Sequence, residues 1–152
     1  MTQVLMVCMA NVCRSPMALS VAQQLVRNQG RAGELRLDSA GTHAAQGGKR
    51  MDARAQSVLL KRQYTPVKTR SRQVSAQDFE RFDLILAMDE GNLAALKRLA
   101  PPDAHDKLRL LLSFAPEMDT TDVPDPYYGD LAGFSRVLNL IEAGVNGLLA
   151  RV

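Results

Sequence analysis

Four consecutive apolar residues, Val4-Leu5-Met6-Val7, precede a loop from Cys8 to Arg14, and a helical pattern starts directly after it at Ser15-Pro16. The run is too short for a helix and reads as a buried strand. Ser15 has the chemistry of a helix cap and Pro16 that of a first helical residue. Met17, Val21, Leu25 and Val26 then recur at helical spacing, and the helix stops before Gly30.

The same unit returns along the chain. Leu35-Arg36-Leu37 is a second short strand that runs into Asp38-Ser39-Ala40-Gly41-Thr42, and residues 43–50 form a Gly- and Ala-rich loop. Asp52 to Arg62 is a helix with Ala55, Val58 and Leu59 inward. Phe82 to Met88 is the most apolar strand; Asp89 opens a helix through Leu93, Leu96 and Leu99, which Pro101-Pro102 ends. Leu108–Leu112 is a fourth strand. A loop with Pro116, Pro124 and Pro126 leads to a last helix from about Leu131 to Leu149. This alternation predicts an α/β fold: one domain over residues 1–152, with a parallel sheet flanked by helices on both faces. Such sheets bind ligands beyond the carboxyl ends of their strands, and Cys8–Arg14 lies at one such end.

Composition narrows the function classes. The chain has 152 residues, 46% of them hydrophobic and none of them Trp, so the core is aliphatic. No apolar stretch approaches the ~18 residues that span a bilayer. Asn11 and Arg14 interrupt the N-terminal apolar run, which no basic residue precedes, so it is not a signal peptide. The expected setting is a reducing cytoplasm in which Cys8 and Cys13 stay free, without membrane insertion. No His lies near these cysteines, and their spacing is not that of a zinc knuckle. Formal net charge is +3. Lys61, Arg62, Lys68, Arg70 and Arg72 fall close together with no acid between them, a cluster that favours anionic partners. Only Tyr64 interleaves them, so nucleic acid is not an expected partner.

Cys8-Met9-Ala10-Asn11-Val12-Cys13-Arg14-Ser15-Pro16 carries the chemistry. Successive backbone N–H groups in a loop of this length can cradle a tetrahedral oxyanion, and the following helix adds its positive end. Arg14 can fork two donors onto two phosphate oxygens. The same field favours Cys8 as a thiolate nucleophile, and the Ser15 hydroxyl can stabilise that sulfur as a leaving group. Taken alone, a Cys at a strand end is most often a small buried hydrophobe; the strand before it and the helix start after it favour catalysis. A thiolate that displaces an oxygen from phosphorus also needs an acid. Asp119, Asp122, Asp125 and Asp130 are candidates. Asp125-Pro126-Tyr127-Tyr128 stands out because proline fixes the backbone and two aromatics can wall a flat ring, although Asp-Pro is also a common turn pair.

These residues, together with Asp38-Ser39-Ala40-Gly41-Thr42, Asp52-Ala53-Arg54-Ala55 and Phe82-Asp83-Leu84-Ile85-Leu86-Ala87-Met88-Asp89, resemble the low-molecular-weight protein tyrosine phosphatases of bacterial type nearly end to end. The resemblance implies a four-stranded parallel sheet and hydrolysis of phosphotyrosine. It implies Cys8 as the nucleophile that becomes a phosphocysteine, Arg14 as the phosphate ligand and Asp125 as general acid and then base. The loop residues Met9, Ala10, Asn11, Val12, Cys13 and Ser15 would hold the phosphate, with Tyr127 and Tyr128 lining the aromatic slot. Asn11 and Ser39 would shape the loop. No metal or organic cofactor is implied. The implied partner is a phosphotyrosine-containing protein, a tyrosine autokinase being one candidate. Apart from the resemblance, the place of Cys13 in the same loop lets it capture an oxidised Cys8 as a disulfide, or equally just pack under the loop.

The chain departs from the family at several points. Ala10 stands where the family usually has Gly, Leu19 where an acid is common and Thr69 where many members have His. The 43–48 segment lacks the usual aromatic. Three rival readings fit less of the chain. An arsenate reductase needs a further cysteine, and none follows Cys13. A phosphocysteine carrier domain has no need of Asp125-Pro126-Tyr127. An idle anion-binding module has no need of Cys8, Arg14 and Asp125 together.

Overall fold

A computed structural model describes residues 1–152. Strands β1 (Thr2–Cys8), β2 (Leu35–Gly41), β3 (Leu84–Ala87) and β4 (Leu108–Leu110) form one sheet in the order β2-β1-β3-β4, with every pair parallel. Five helices connect and cover them: α1 (Arg14–Asn28), α2 (Ala53–Lys61), α3 (Ala76–Arg81), α4 (Glu90–Leu99) and α5 (Leu131–Leu149). The α/β fold expected from the alternation is the fold observed.

The central strand shows why both faces are covered. Successive side chains of a strand point to opposite faces. Val4, Met6 and Cys8 enter a 28-residue core that holds α1, α2 and α5 residues, while Leu5 and Val7 enter a 12-residue core shared with α3 and α4. All five residues are essentially inaccessible to water. Cys8 is therefore the last core-facing residue of β1, in register with Gly41 of β2. After β1 the chain builds β2 on one side, and it later returns to place β3 on the other. The carboxyl end of β1 thus lies at the point where strand order reverses, where α/β sheets open a crevice.

Several expectations are corrected. Helix α1 begins at Arg14, with Cys13 before it, so Ser15 is inside the helix and caps nothing. Its hydroxyl is turned to Cys8 instead. The fourth strand stops at Leu110, because Leu111–Phe114 coil into a 3-10 turn that docks on α5. That contact is tight: a Cβ on Gly144 would lie 2.6 Å from Leu111 Cγ, and one on Gly147 1.8 Å from the Phe114 carbonyl oxygen. The third strand begins at Leu84, with Phe82 fully buried before it. Helix α3 was not foreseen. It is one and a half turns long, and it is held by a reciprocal capping box between Ser75 and Asp78.

Candidate active site

The Cys8–Arg14 segment wraps between β1 and α1 and directs its carbonyls away from its centre. Thr42 N–H donates to Cys8 O, His43 N–H to Met9 O, Asp52 N–H to Val12 O and Met17 N–H to Cys13 O. The N–H groups of Met9, Ala10, Asn11, Val12 and Cys13 have no partner within the protein. Five unspent donors in one turn, followed by a helix N-terminus, make an anion cradle. The loop's one left-handed residue is Asn11, with φ of 59°. Asparagine tolerates that region better than most residues. Ala10 has no positive φ, so the alanine that replaces the family's glycine closes the loop without backbone strain.

Asn11 also organises the floor. Its Oδ1 accepts the Arg72 N–H at 3.0 Å, and a backbone N–H can only donate. That fixes the amide, so Nδ2 donates to Ser15 Oγ at 2.7 Å and to Ser39 Oγ at 3.0 Å. Ser15 Oγ, already an acceptor, lies 3.0 Å from Cys8 Sγ and 3.4 Å from Ala40 O. Either atom of the Ser15–Cys8 pair can donate while Cys8 is a thiol, and only Ser15 can once it is a thiolate. Ser15 N–H approaches the same sulfur at 3.4 Å. Asn11 thus links Ser15 and Ser39 in one buried group.

Arg14 is 3% exposed. Its Nη1 donates to Asp89 Oδ2 at 2.6 Å and to Val123 O at 3.1 Å, and its Nη2 lies 3.7 Å from Asp125 Oδ2. Asp89 was read from the sequence only as a helix opener. It does cap α4, accepting the Asn92 N–H at 2.7 Å, and it orients Arg14 with its other oxygen. Nothing local in the sequence could show this, since the two residues are 75 positions apart.

The four candidate acids separate cleanly. Asp130 accepts Gly133 N–H and caps α5, while Asp122 accepts Glu90 N–H at the start of α4. Asp119 ends a 3-10 turn in the left-handed region. Asp125 alone of the four lines the cavity that contains Cys8 and Arg14, a space of about 400 Å³. Met9, Ala10, Val12, Cys13, Tyr127 and Tyr128 line the same cavity, as do His43 and Ala45 on the side where the family's aromatic is missing. Asn11, Ser15 and Ser39 lie behind it as support. The Tyr127 and Tyr128 rings meet edge to face at 5.0 Å.

Asp52 and Arg54 form an ion pair beside the loop, where Asp52 N–H meets Val12 O. Asp52 caps α2 through Arg54 N–H, and burial raises its pKa less than its hydrogen bonds to Arg54 lower it, so it stays a carboxylate. The Arg54 guanidinium stacks on the Tyr127 and Phe134 rings and donates to Gly129 O, which ties the Asp125 loop to α2. Cys13 lies in the same loop as Cys8 and is buried too. Burial, and then the negative charge of Asp52, push its thiol up to about 12.

Residues 3–152 match the family of low molecular weight phosphotyrosine protein phosphatases. The chain belongs to that family. A low molecular weight protein-tyrosine-phosphatase of Streptomyces coelicolor is 42% identical to this phosphatase, over 99% of this chain and 93% of its own. The crystal structure of a protein tyrosine phosphatase from Entamoeba histolytica, with Hepes in its active site, superposes at a TM-score of 0.95. It is 36% identical and covers 99% of this chain and 96% of its own. Vibrio vulnificus Wzb in complex with benzylphosphonate superposes at 0.85, with 29% identity and 99% of both chains covered. The phosphatase fold therefore rests on agreement along the whole chain. None of the five helices is long and apolar enough to cross a membrane.

Proposed function

We propose that the chain hydrolyses phosphotyrosine in proteins through a phosphocysteine on Cys8, with Asp125 as general acid and then general base. The observation that carries this reading is the Ser15 hydroxyl aimed at Cys8 Sγ beneath a loop whose N–H groups are unspent. In the first step the Cys8 sulfur attacks phosphorus, and the bond from phosphorus to the phenolic oxygen breaks. The electron pair leaves on that oxygen, which takes a proton from Asp125. The five loop N–H groups and Arg14 hold the three equatorial oxygens, where charge gathers in the transition state. In the second step a water attacks the phosphocysteine and gives its proton to the Asp125 carboxylate. The sulfur departs with its electron pair and meets the Ser15 proton. Tyr127 and Tyr128 wall the mouth for an aromatic ring. Benzylphosphonate, an unhydrolysable relative of an aryl phosphate, occupies the Wzb complex and supports that substrate shape. A compartment that keeps Cys8 reduced, such as the cytoplasm, is part of the proposal. So is a protein substrate, a tyrosine autokinase being one candidate.

Hydrolysis of a phosphotyrosine peptide beside matched phosphoserine and phosphothreonine peptides tests the reading. Selective turnover of the first, lost in Cys8→Ser, is expected. Equal rates on all three would remove the aryl preference, and full activity in Cys8→Ser would remove the mechanism.

A further inference from the structure

The basic cluster noted in the sequence divides in two in the fold. Arg62 is satisfied by Glu142 at 2.6 Å and by Ser135 O. Arg72 is satisfied by Asp78 at 2.9 Å and Asp38 at 3.2 Å. Lys68 and Arg70 take part in no ion pair, and neither does Arg50, which lies on a separate loop. The two segments are fastened to each other: Ser71 N–H donates to Lys49 O, and Lys49 N–H donates to Ser71 Oγ, both at 2.8 Å. This brings Arg50, Lys68 and Arg70 round one groove of about 480 Å³, which Leu60 and Val67 also line, with no carboxylate in its lining. Arg50 also lines the cavity that holds Cys8. The groove is thus a lateral extension of the active-site opening, and three cations without counter-ions focus a positive potential in it.

We infer that this groove is a substrate subsite for anionic side chains flanking the phosphotyrosine: carboxylates of an acidic peptide segment, or a second phosphoryl group. The inference rests on the Cys8 reading above, since it needs phosphotyrosine seated in the adjoining cavity. Cations at the rim of a binding site speed encounter and hold an anionic partner, and salt screens their effect. The methylene stems of Lys68 and Arg70, with Leu60 and Val67 in the same lining, also offer a peptide apolar surface.

The test compares four substrates at low and high salt: nitrophenyl phosphate, a phosphotyrosine peptide with neutral flanks, one with Asp and Glu flanks and one with a second phosphotyrosine. Each is measured with wild type, with Lys68→Gln/Arg70→Gln and with Lys68→Glu/Arg70→Glu. Wild type is expected to favour the anionic peptides over the neutral one by roughly three- to tenfold in kcat/KM, mostly through KM, the size expected of a few exposed charge pairs. The advantage should vanish in the Gln variant, invert in the Glu variant and shrink in high salt, with nitrophenyl phosphate unaffected. An advantage shared by both anionic peptides assigns the groove to acidic side chains in general, and one confined to the double phosphopeptide assigns it to a second phosphate. Equal kcat/KM for neutral and anionic peptides in wild type, or an advantage that survives both variants, overturns the subsite. Failure of wild type on all four substrates, nitrophenyl phosphate included, strikes the Cys8 mechanism and the subsite with it.

Discussion

The Ser15 hydroxyl sits 3.0 Å from the Cys8 sulfur while it accepts a hydrogen bond from Asn11, so it is placed to donate to that sulfur whenever Cys8 is a thiolate. A hydrogen bond to a charged group contributes about 1.5–3 kcal/mol, which is roughly ten- to a hundredfold in rate. Ser15→Ala is therefore expected to lower kcat by about that factor. Because the sulfur is a leaving group only in the second step, the phosphoenzyme should build up, and stopped-flow traces should show a burst of phenol release larger than in wild type. An unchanged kcat with no burst would leave Ser15 as packing.

Asp125→Ala tests the acid. General acid catalysis contributes about 10²–10⁴-fold and matters most when the departing oxygen is basic. The variant should lose far more activity on phosphotyrosine than on nitrophenyl phosphate. Equal losses would make Asp125 a structural residue that turns the loop, through the bond its Oδ1 accepts from Tyr127 N–H.

Much of this site was legible because it is local. The strand, the loop and the helix start that hold Cys8 and Arg14 fall within one short segment, and their pattern dictated the crevice. What escaped was non-local. Asp89 orients Arg14 across 75 positions, and Glu142 neutralises Arg62 across 80, gaps that no window of sequence spans. Ser15 was misread as a cap because a serine before proline at a helix start has that chemistry. Of the two roles the sequence offers Ser15, cap and partner of the Cys8 sulfur, the fold keeps the second, and adds the bond from Asn11. The 3-10 turn at Leu111–Phe114 continues the apolar run of β4, and only the glycines of α5, far along the chain, make room for it.

Gly147 gives a stability test whose sign is diagnostic. Helix propensity alone favours Ala over Gly by about 1 kcal/mol. In the fold, a Cβ at Gly147 would lie 1.8 Å from the Phe114 carbonyl oxygen, and backbone must move to admit it. Gly147→Ala is expected to cost about 1–3 kcal/mol, the usual range for overpacking, and to lower the melting temperature. A higher melting temperature would contradict the packing of the Leu111–Phe114 turn on α5. Gly41→Ala probes the loop in the same way, since its Cβ would lie 2.6 Å from Met9 O. Activity should fall more than stability there, because the strained neighbour is the anion cradle.

Cys13 carries a pH dependence. Its thiol is pushed up to about 12 in the folded chain, so between about 9 and 12 the native state keeps a proton that the unfolded state has lost. Stability from this group is thus full below about 9 and declines above it, by up to about 1.4 kcal/mol per pH unit. Denaturant melts of wild type and Cys13→Ser should diverge in slope over that window, and parallel curves would contradict the burial. The same proton bears on redox protection. Peroxide should inactivate the enzyme and dithiothreitol restore it, with poorer recovery in Cys13→Ser after long exposure. Because capture of an oxidised Cys8 needs the Cys13 thiolate, protection should strengthen as pH rises toward 9. Recovery identical in the two proteins at every pH would leave Cys13 as a core residue.

A covalent bond between Cys8 and phosphorus is the central step of the proposed mechanism. Rapid acid quenching of Asp125→Ala during turnover of nitrophenyl phosphate, followed by peptide mass spectrometry, looks for that bond directly. Without the base for the second step, the phosphoenzyme should accumulate, with one phosphoryl group on the peptide that contains Cys8 and none in Cys8→Ser. Continued turnover with no phosphorylated Cys8, or a phosphoryl group on any other side chain, would contradict the mechanism.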